Sequence, residues 1–196
     1  MYNQSDMRIK ENNEMVKKGD DEEEEDEIEE DMELIKEENR NEYDLQLSIA
    51  EAMGIIFKTH KELSGNLTTQ LFQQILPAAI NNTEKQKQKF ALFILDDMVE
   101  FLGYQYLGDN YVQVAKQIIH FCSSPVPAIR QAACYGIGMM AQNGGETYKL
   151  VANDCIQGLK TAIEFHAPSG DKKSKLKQYN HAKDNAVAAL GKIIKY

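Results

Sequence analysis

Val126-Pro-Ala-Ile-Arg130-Gln-Ala-Ala-Cys-Tyr135-Gly-Ile-Gly-Met-Met140-Ala-Gln-Asn-Gly-Gly145 is the stretch whose reading decides the fold. Pro127 suits the first turn of a helix, where its missing N–H would be unpaired in any case. Ile129, Ala132, Ala133, Ile137, Met140 and Ala141 recur at spacings of three and four and share one helical face. Ala132, Ala133, Gly136 and Gly138 have little or no side chain, so a neighbouring helix can approach closely. Asn143-Gly144-Gly145 tolerates positive φ and stops the helix.

The same pattern returns at roughly fixed intervals. Ala182 to Ile194 repeats it 53 residues on, aligning Leu190-Gly191 with Ile137-Gly138, Lys183 with Arg130 and Ala186 with Ala133. Phe90 to Phe101 aligns 43 residues upstream, and Ile49 to Phe57 a further 41 upstream. The two shorter offsets fall within the roughly 40–47 residues of a HEAT or armadillo unit. The polar run Ala167 to Gln178 accounts for the surplus in the third as an insertion. The expected fold is therefore all-α, a HEAT-repeat solenoid of stacked antiparallel helix pairs. The expected repeats are 41–82, 83–125 and 126–167, then a first helix alone over 179–196, with a loop over 167–178.

Within that frame, Leu45, Ile49, Ala52, Met53, Ile56 and Phe57 make a helical stripe ending near Ser64-Gly65-Asn66. Leu67, Leu71, Phe72, Ile75, Leu76 and Ile80 make the next, which Pro77 should bend. Thr83 is the expected N-cap of a helix carrying Phe90, Ile94, Leu95, Met98 and Leu102. After a short connection from Gly103 to Asn110 comes a helix with Tyr111, Val114, Ala115, Ile118 and Cys122. Glu146 to His166 is expected as one helix. The last helix, Tyr179 to Tyr196, has no partner after it, and Val187, Leu190, Ile193 and Ile194 offer no polar cap, so the chain is expected to continue or dock.

Charge divides the chain. Residues 1–42 hold 18 acidic and 6 basic side chains, against a nearly neutral remainder. Asp20 to Glu33 has 12 carboxylates in 14 positions, and like charges at i, i+4 repel. Residues 1–40 are expected to be an acidic tail, largely disordered or an extended helix. Met1 to Gly19 shows no clear apolar face and reads as disordered or frayed. The acidic run is either a solvated linker or an attractor of basic proteins through Asp20, Asp21, Glu22, Glu23, Glu24, Glu25, Asp26 and Glu27.

Little here points to catalysis. Gly136-Ile-Gly138-Met-Met-Ala141 matches a dinucleotide fingerprint, but that motif needs a strand feeding a glycine turn, and a helical pattern runs through this one. His60, His120, His166 and His181 form no metal-ligand spacing, and Cys122, Cys134 and Cys155 show no C-x-x-C. The cysteines read as core residues of a reducing compartment. Asp96 and Asp97 are adjacent, so on a helix they point about 100° apart and cannot act together on one bond. No enzyme, metal or cofactor is expected, and neither nucleic acid nor membrane as partner. No apolar run approaches the about 20 residues a membrane span needs, and the chain reads as soluble and intracellular.

Phe90-Ala-Leu-Phe-Ile-Leu-Asp-Asp-Met-Val-Glu100 resembles a segment of the importin-beta (karyopherin-beta) nuclear transport receptors, with importin five (karyopherin beta-three) as the nearest branch. Ile129 to Gln142 and Asn185 to Ile194 continue the resemblance in order, and it spans about Asp44 to Tyr196. The first two segments are fairly specific; the last alone would fit many HEAT proteins. Such receptors are far longer, so the chain is similar to a fragment of their later repeats.

The resemblance implies a protein-binding section of a nuclear import receptor, moving between cytoplasm and nucleus through the nuclear pore. Its implied partners are basic cargo proteins bearing import signals, ribosomal proteins or histones among them, and Phe-Gly nucleoporins. Ran GTPase would act on the full-length receptor but not through this fragment. It also implies acidic–basic ladders tying adjacent units, for which Asp96, Asp97, Arg130, Lys183 and Asn185 are the candidates, with Asp97 or Asp154 as the partner of Arg130. An exposed charge is the alternative for Arg130 and Lys183. Two other functions remain open: a HEAT scaffold organising an enzyme complex, and an acidic chaperone of basic proteins working through its tail.

Overall fold

The computed structural model describes residues 1–19, 25–167 and 173–196. It consists of helices, with no strand among the described residues. The chain forms two compact units, Met1–Ala52 and Met53–Tyr196.

In the first unit, α1 (Tyr2–Gly19) and the first part of α2 (Glu25–Thr59) run antiparallel along a polar seam. Gln46 Nε2 donates to Ser5 Oγ at 3.1 Å, and Ser5 Oγ donates to the Glu42 carbonyl at 3.3 Å. Arg8 forks onto the Glu42 carboxylate. Asn12 Nδ2 donates to Asn39 Oδ1, and Asn39 Nδ2 to Asn13 Oδ1, both at 3.1 Å. Side-chain amides carry both donors and an acceptor, so alternating asparagines can satisfy each other along a seam. Ser5 and Gln46 are buried there beside Ile9 and Ala50.

The second unit is a stack of antiparallel helix pairs, the HEAT-type solenoid. First helices α5 (Lys85–Asp97), α8 (Pro127–Asn143) and α11 (Lys173–Lys195) pack side by side in that order. Second helices α7 (Asn110–His120) and α10 (Ala152–Glu164) pack against each other and against α8. The apolar stripes meet inside: Phe90, Ile94, Leu95 and Met98; Tyr111, Val114 and Ile118; Ile129, Ile137 and Met140; Cys155 and Leu159 are all buried. The three cysteines are free and buried.

Local chemistry sets the ends of these elements. Pro127 begins α8. Gly145, at φ +53°, makes the turn into α9 (Gly145–Tyr148), a conformation in which a Cβ would be strained. Pro77 has no N–H to donate, and the turn ahead of it widens: α3 (Ser64–Gln70) passes into a π-helical turn, Leu71–Ile75, before α4 (Leu76–Ile80). The Leu76 N–H donates to the Leu71 carbonyl, five residues back.

Several boundaries differ from the sequence expectation. Met1 to Gly19, read as disordered or frayed, holds α1, and α2 begins at Glu25 and ends at Thr59, ahead of Ser64-Gly65-Asn66, where α3 starts. Glu84, not Thr83, occupies the N-cap of α5, because Asn82 Oδ1 accepts the Glu84 N–H at 2.9 Å and holds the chain in a turn until there. The connection after α5 carries a π turn, Met98–Leu102, and a short helix α6 (Gly103–Leu107). Glu146–His166 is not one helix, since Lys149 to Val151 form turns between α9 and α10. The last helix starts at Lys173. Among the described residues no helix is long and apolar enough to cross a membrane.

Candidate interaction surface

The small residues of α8 admit two different neighbours. A Cβ on Gly136 would overlap the Asp96 carboxylate and lie 3.1 Å from Ile118 Cγ2. A Cβ on Gly138 would lie 3.5 Å from the Cα of Ala189 on α11. Glycine spacing on α8 thus lets α5 place a carboxylate on one side and α11 its backbone on the other.

Asp96 and Asp97 diverge as adjacent helical residues must. Asp96 lies against Gly136 and is buried, with Oδ1 unpaired. Asp97 lies against Gly54, where a Cβ would overlap its carboxylate. Each acid therefore reaches a helix of a neighbouring pair. Glu100 completes an acidic strip: its Oε2 accepts the Tyr135 hydroxyl at 2.6 Å, and its carbonyl accepts Asn143 Nδ2 at 2.9 Å. Burial, then the charges of Asp97 and Glu100, push the Asp96 carboxyl well above the ordinary range. Burial and Glu100 push Asp97 up to about 6.

A carboxyl whose folded pKa is raised favours the folded state while it holds its proton. The contribution of Asp97 is present in full below the ordinary pKa of 3.8 and is lost as pH rises through about 6. Discounted for partial exposure, this is on the order of 1–2 kcal/mol. Asp97→Asn should therefore gain that much relative to the parent between pH 4 and pH 7. Urea unfolding at both pH values checks it; a constant difference between the two chains contradicts the assignment.

Arg130 is buried in α8. Its Nη1 donates to the Ser124 carbonyl at 2.5 Å, and its guanidinium lies 3.8 Å over the Phe165 ring and 5.0 Å from the Tyr179 ring. The two rings stack on each other with centroids 6.1 Å apart. Burial lowers the pKa of Arg130. Neither Asp97 nor Asp154 pairs with it: among the described residues its contacts are this carbonyl and these rings. The rings come from the end of the third pair and from α11, so Arg130 joins two consecutive units through π faces.

On α11, Asn185 Nδ2 donates to the Gln131 carbonyl at 3.1 Å, and Lys192 reaches Met139 Sδ at 3.1 Å. Lys183 is half-buried and makes no hydrogen bond or ion pair among the described residues. A shallow cleft between α8 and α11 is lined by Tyr135, Gly138, Asn185, Ala188, Ala189 and Lys192.

Asp20, Asp21, Glu22, Glu23 and Glu24 lie outside the described residues, and Glu25, Asp26 and Glu27 are described only as backbone at the start of α2. Sequence reasoning missed Glu100, Phe165 and Tyr179. A tyrosine and a phenylalanine flanking the Ala167–Gln178 loop were the available signal for the last two.

No family model matches the chain. Over 105 residues, 54% of this chain, it is 34% identical to importin subunit beta-3 of Saccharomyces cerevisiae. That stretch covers 9% of the yeast protein, so the chain spans a small part of its relative's length. Together with the stacked helix pairs, this similarity supports a relationship to the importin-beta family.

Proposed function

We propose that this chain is a protein-binding section of a nuclear import receptor of the importin-five (karyopherin beta-three) branch. The 34% identity to importin subunit beta-3 is the observation that carries the reading, and the stacked helix pairs are the scaffold it requires. On this reading the pairs are 41–82, 83–125 and 126–167, followed by the lone first helix α11. Asp96, Asp97, Arg130 and Asn185 hold the units in register, and Lys183 is a surface charge of the same seam.

Basic cargo is drawn by the acidic residues 20–27, a long-range attraction that weakens with salt. The helical body then selects among basic signals. A Phe-Gly nucleoporin segment lays its aromatic ring over the shallow cleft between α8 and α11, against Tyr135, Ala188 and Lys192. Ran in its GTP form acts on repeats outside this chain, and the whole receptor moves between cytoplasm and nucleus.

Retention on an immobilised Phe-Gly repeat segment tests the cleft. The chain is expected to be retained, an Ala188→Asp variant to be lost, and added Ran–GTP to change neither. Ala188 is exposed, so the substitution leaves the core untouched. Equal retention of parent and variant contradicts this placement.

A further inference from the structure

Two adjacent acids near the end of α5 are seated in two glycine notches. Asp96 lies against Gly136 of α8, and Asp97 lies against Gly54 of α2. At the second notch a Cβ would overlap Asp97 Oδ2 and lie 2.9 Å from its Cγ, so the carboxyl group rests directly on the α2 backbone. Gly54 and Phe57 are buried, whereas Ile55, Ile56 and Lys58 are exposed. The end of α2 therefore turns its buried side to Asp97.

Among the described residues no hydrogen bond or ion pair reaches the Asp97 carboxyl group. Lys58, one turn beyond Gly54, lies 5.7 Å over the Phe101 ring instead. Glu51, one turn before Gly54, is exposed. On its own helix and the π turn that follows, Asp97 is flanked by Asp96 and Glu100. From α8, Tyr135 faces the same acids and donates its hydroxyl to Glu100.

Shape and charge conflict at this notch. A carboxylate taken from water needs donors or a cation, and a buried charge without them is costly. The notch fits a carboxyl oxygen against a glycine backbone and leaves no place for a hydrating water between them. A neutral carboxyl group can stay there. An ionised one is hydrated on that side only when α2 moves off α5.

We infer that the contact between the end of α2 and α5 is a pH-sensitive joint, closed while Asp97 carries its proton and opening to water when Asp97 ionises. Nothing in this joint depends on the receptor reading. Burial and the charge of Glu100 push the Asp97 carboxyl up to about 6, so closure is favoured in full below the ordinary 3.8 and gives way as pH rises through about 6.

Amide hydrogen exchange of the full chain at pH 5 and pH 8 tests the joint, each rate being divided by that of an unstructured peptide at the same pH. Once undocked, the last turns of α2 are held by their own hydrogen bonds alone and exchange readily. The Phe57 and Lys58 amides are expected to lose about tenfold in protection from pH 5 to pH 8, as a return of Asp97 from about 6 to 3.8 on opening requires. Their protection should not change in dilute urea, because a local opening exposes little surface, whereas that of the buried α8 turns should fall. In Asp97→Asn the pH-dependent loss should vanish. In Glu100→Gln it should shrink, because one repelling charge is gone. An equal protection at the two pH values, the same loss in Asp97→Asn, an undiminished loss in Glu100→Gln, or a urea dependence matching that of α8 would each overturn the inference.

Discussion

Arg130→Ala is expected to lower the unfolding free energy by roughly 3–4 kcal/mol, a large share of the about 5–15 kcal/mol that holds a domain. Three losses combine. The Ser124 carbonyl, in a buried hydrogen bond, loses its charged donor, at about 1–3 kcal/mol. A desolvated guanidinium leaves the face of Phe165, at about 2 kcal/mol. The aliphatic stem leaves an unfilled space between α8 and α11. Desolvation of the charge offsets part of this total, because Arg130 has no carboxylate partner among the described residues.

Arg130→Met keeps the stem and should recover about half of the loss. Arg130→Lys keeps the charge without the planar fork and should recover less than Met. Urea unfolding followed by circular dichroism checks the order. A loss below about 0.5 kcal/mol for Arg130→Ala, the range of an ordinary surface substitution, contradicts the place given to this side chain.

Gly136→Leu is expected to cost more than about 3 kcal/mol, since its side chain would enter space held by Asp96 and Ile118. The smaller change Gly136→Ala tests the contact itself. Its Cβ overlaps the buried Asp96 carboxylate. Asp96→Ala removes that obstacle. The double variant should be more stable than the two single costs predict, by about 1 kcal/mol or more, as expected of residues in direct contact. Strict additivity would place Asp96 elsewhere.

The first helices were legible because their chemistry is local. Ile129, Ala133, Ile137 and Met140 mark the α8 face by spacing, Pro127 marks its start, and Gly136 and Gly138 mark a close approach. Single residues in turns were less legible. Asn82 captures the Glu84 N–H and moves the cap by one residue, a competition between two side chains that both suit a turn. The seam between α1 and α2 left no trace in hydrophobic periodicity, because asparagine, serine and glutamine make it.

Arg130 shows the same limit in the candidate surface. Its equivalence with Lys183 across repeats was visible, but its partners are rings 35 and 49 residues away, and no spacing rule links a guanidinium to distant π faces. A charge-pairing rule pointed instead to Asp97 or Asp154. Those carboxylates meet Gly54 in one case and a groove in the other.

The central functional claim is that the helical body, and not the acidic run alone, recognises basic import signals. Fluorescence anisotropy at physiological salt tests it most directly, comparing a basic import-signal peptide with a scrambled peptide of the same composition. The parent chain would be measured beside a variant in which the eight carboxylates at 20–27 are replaced by their amides. The account predicts that the parent prefers the signal over the scramble, and that the variant keeps this preference at lower affinity. Equal binding of the two peptides by the parent, abolished in the variant, would make the acidic run a nonspecific polyanion and contradict the claim.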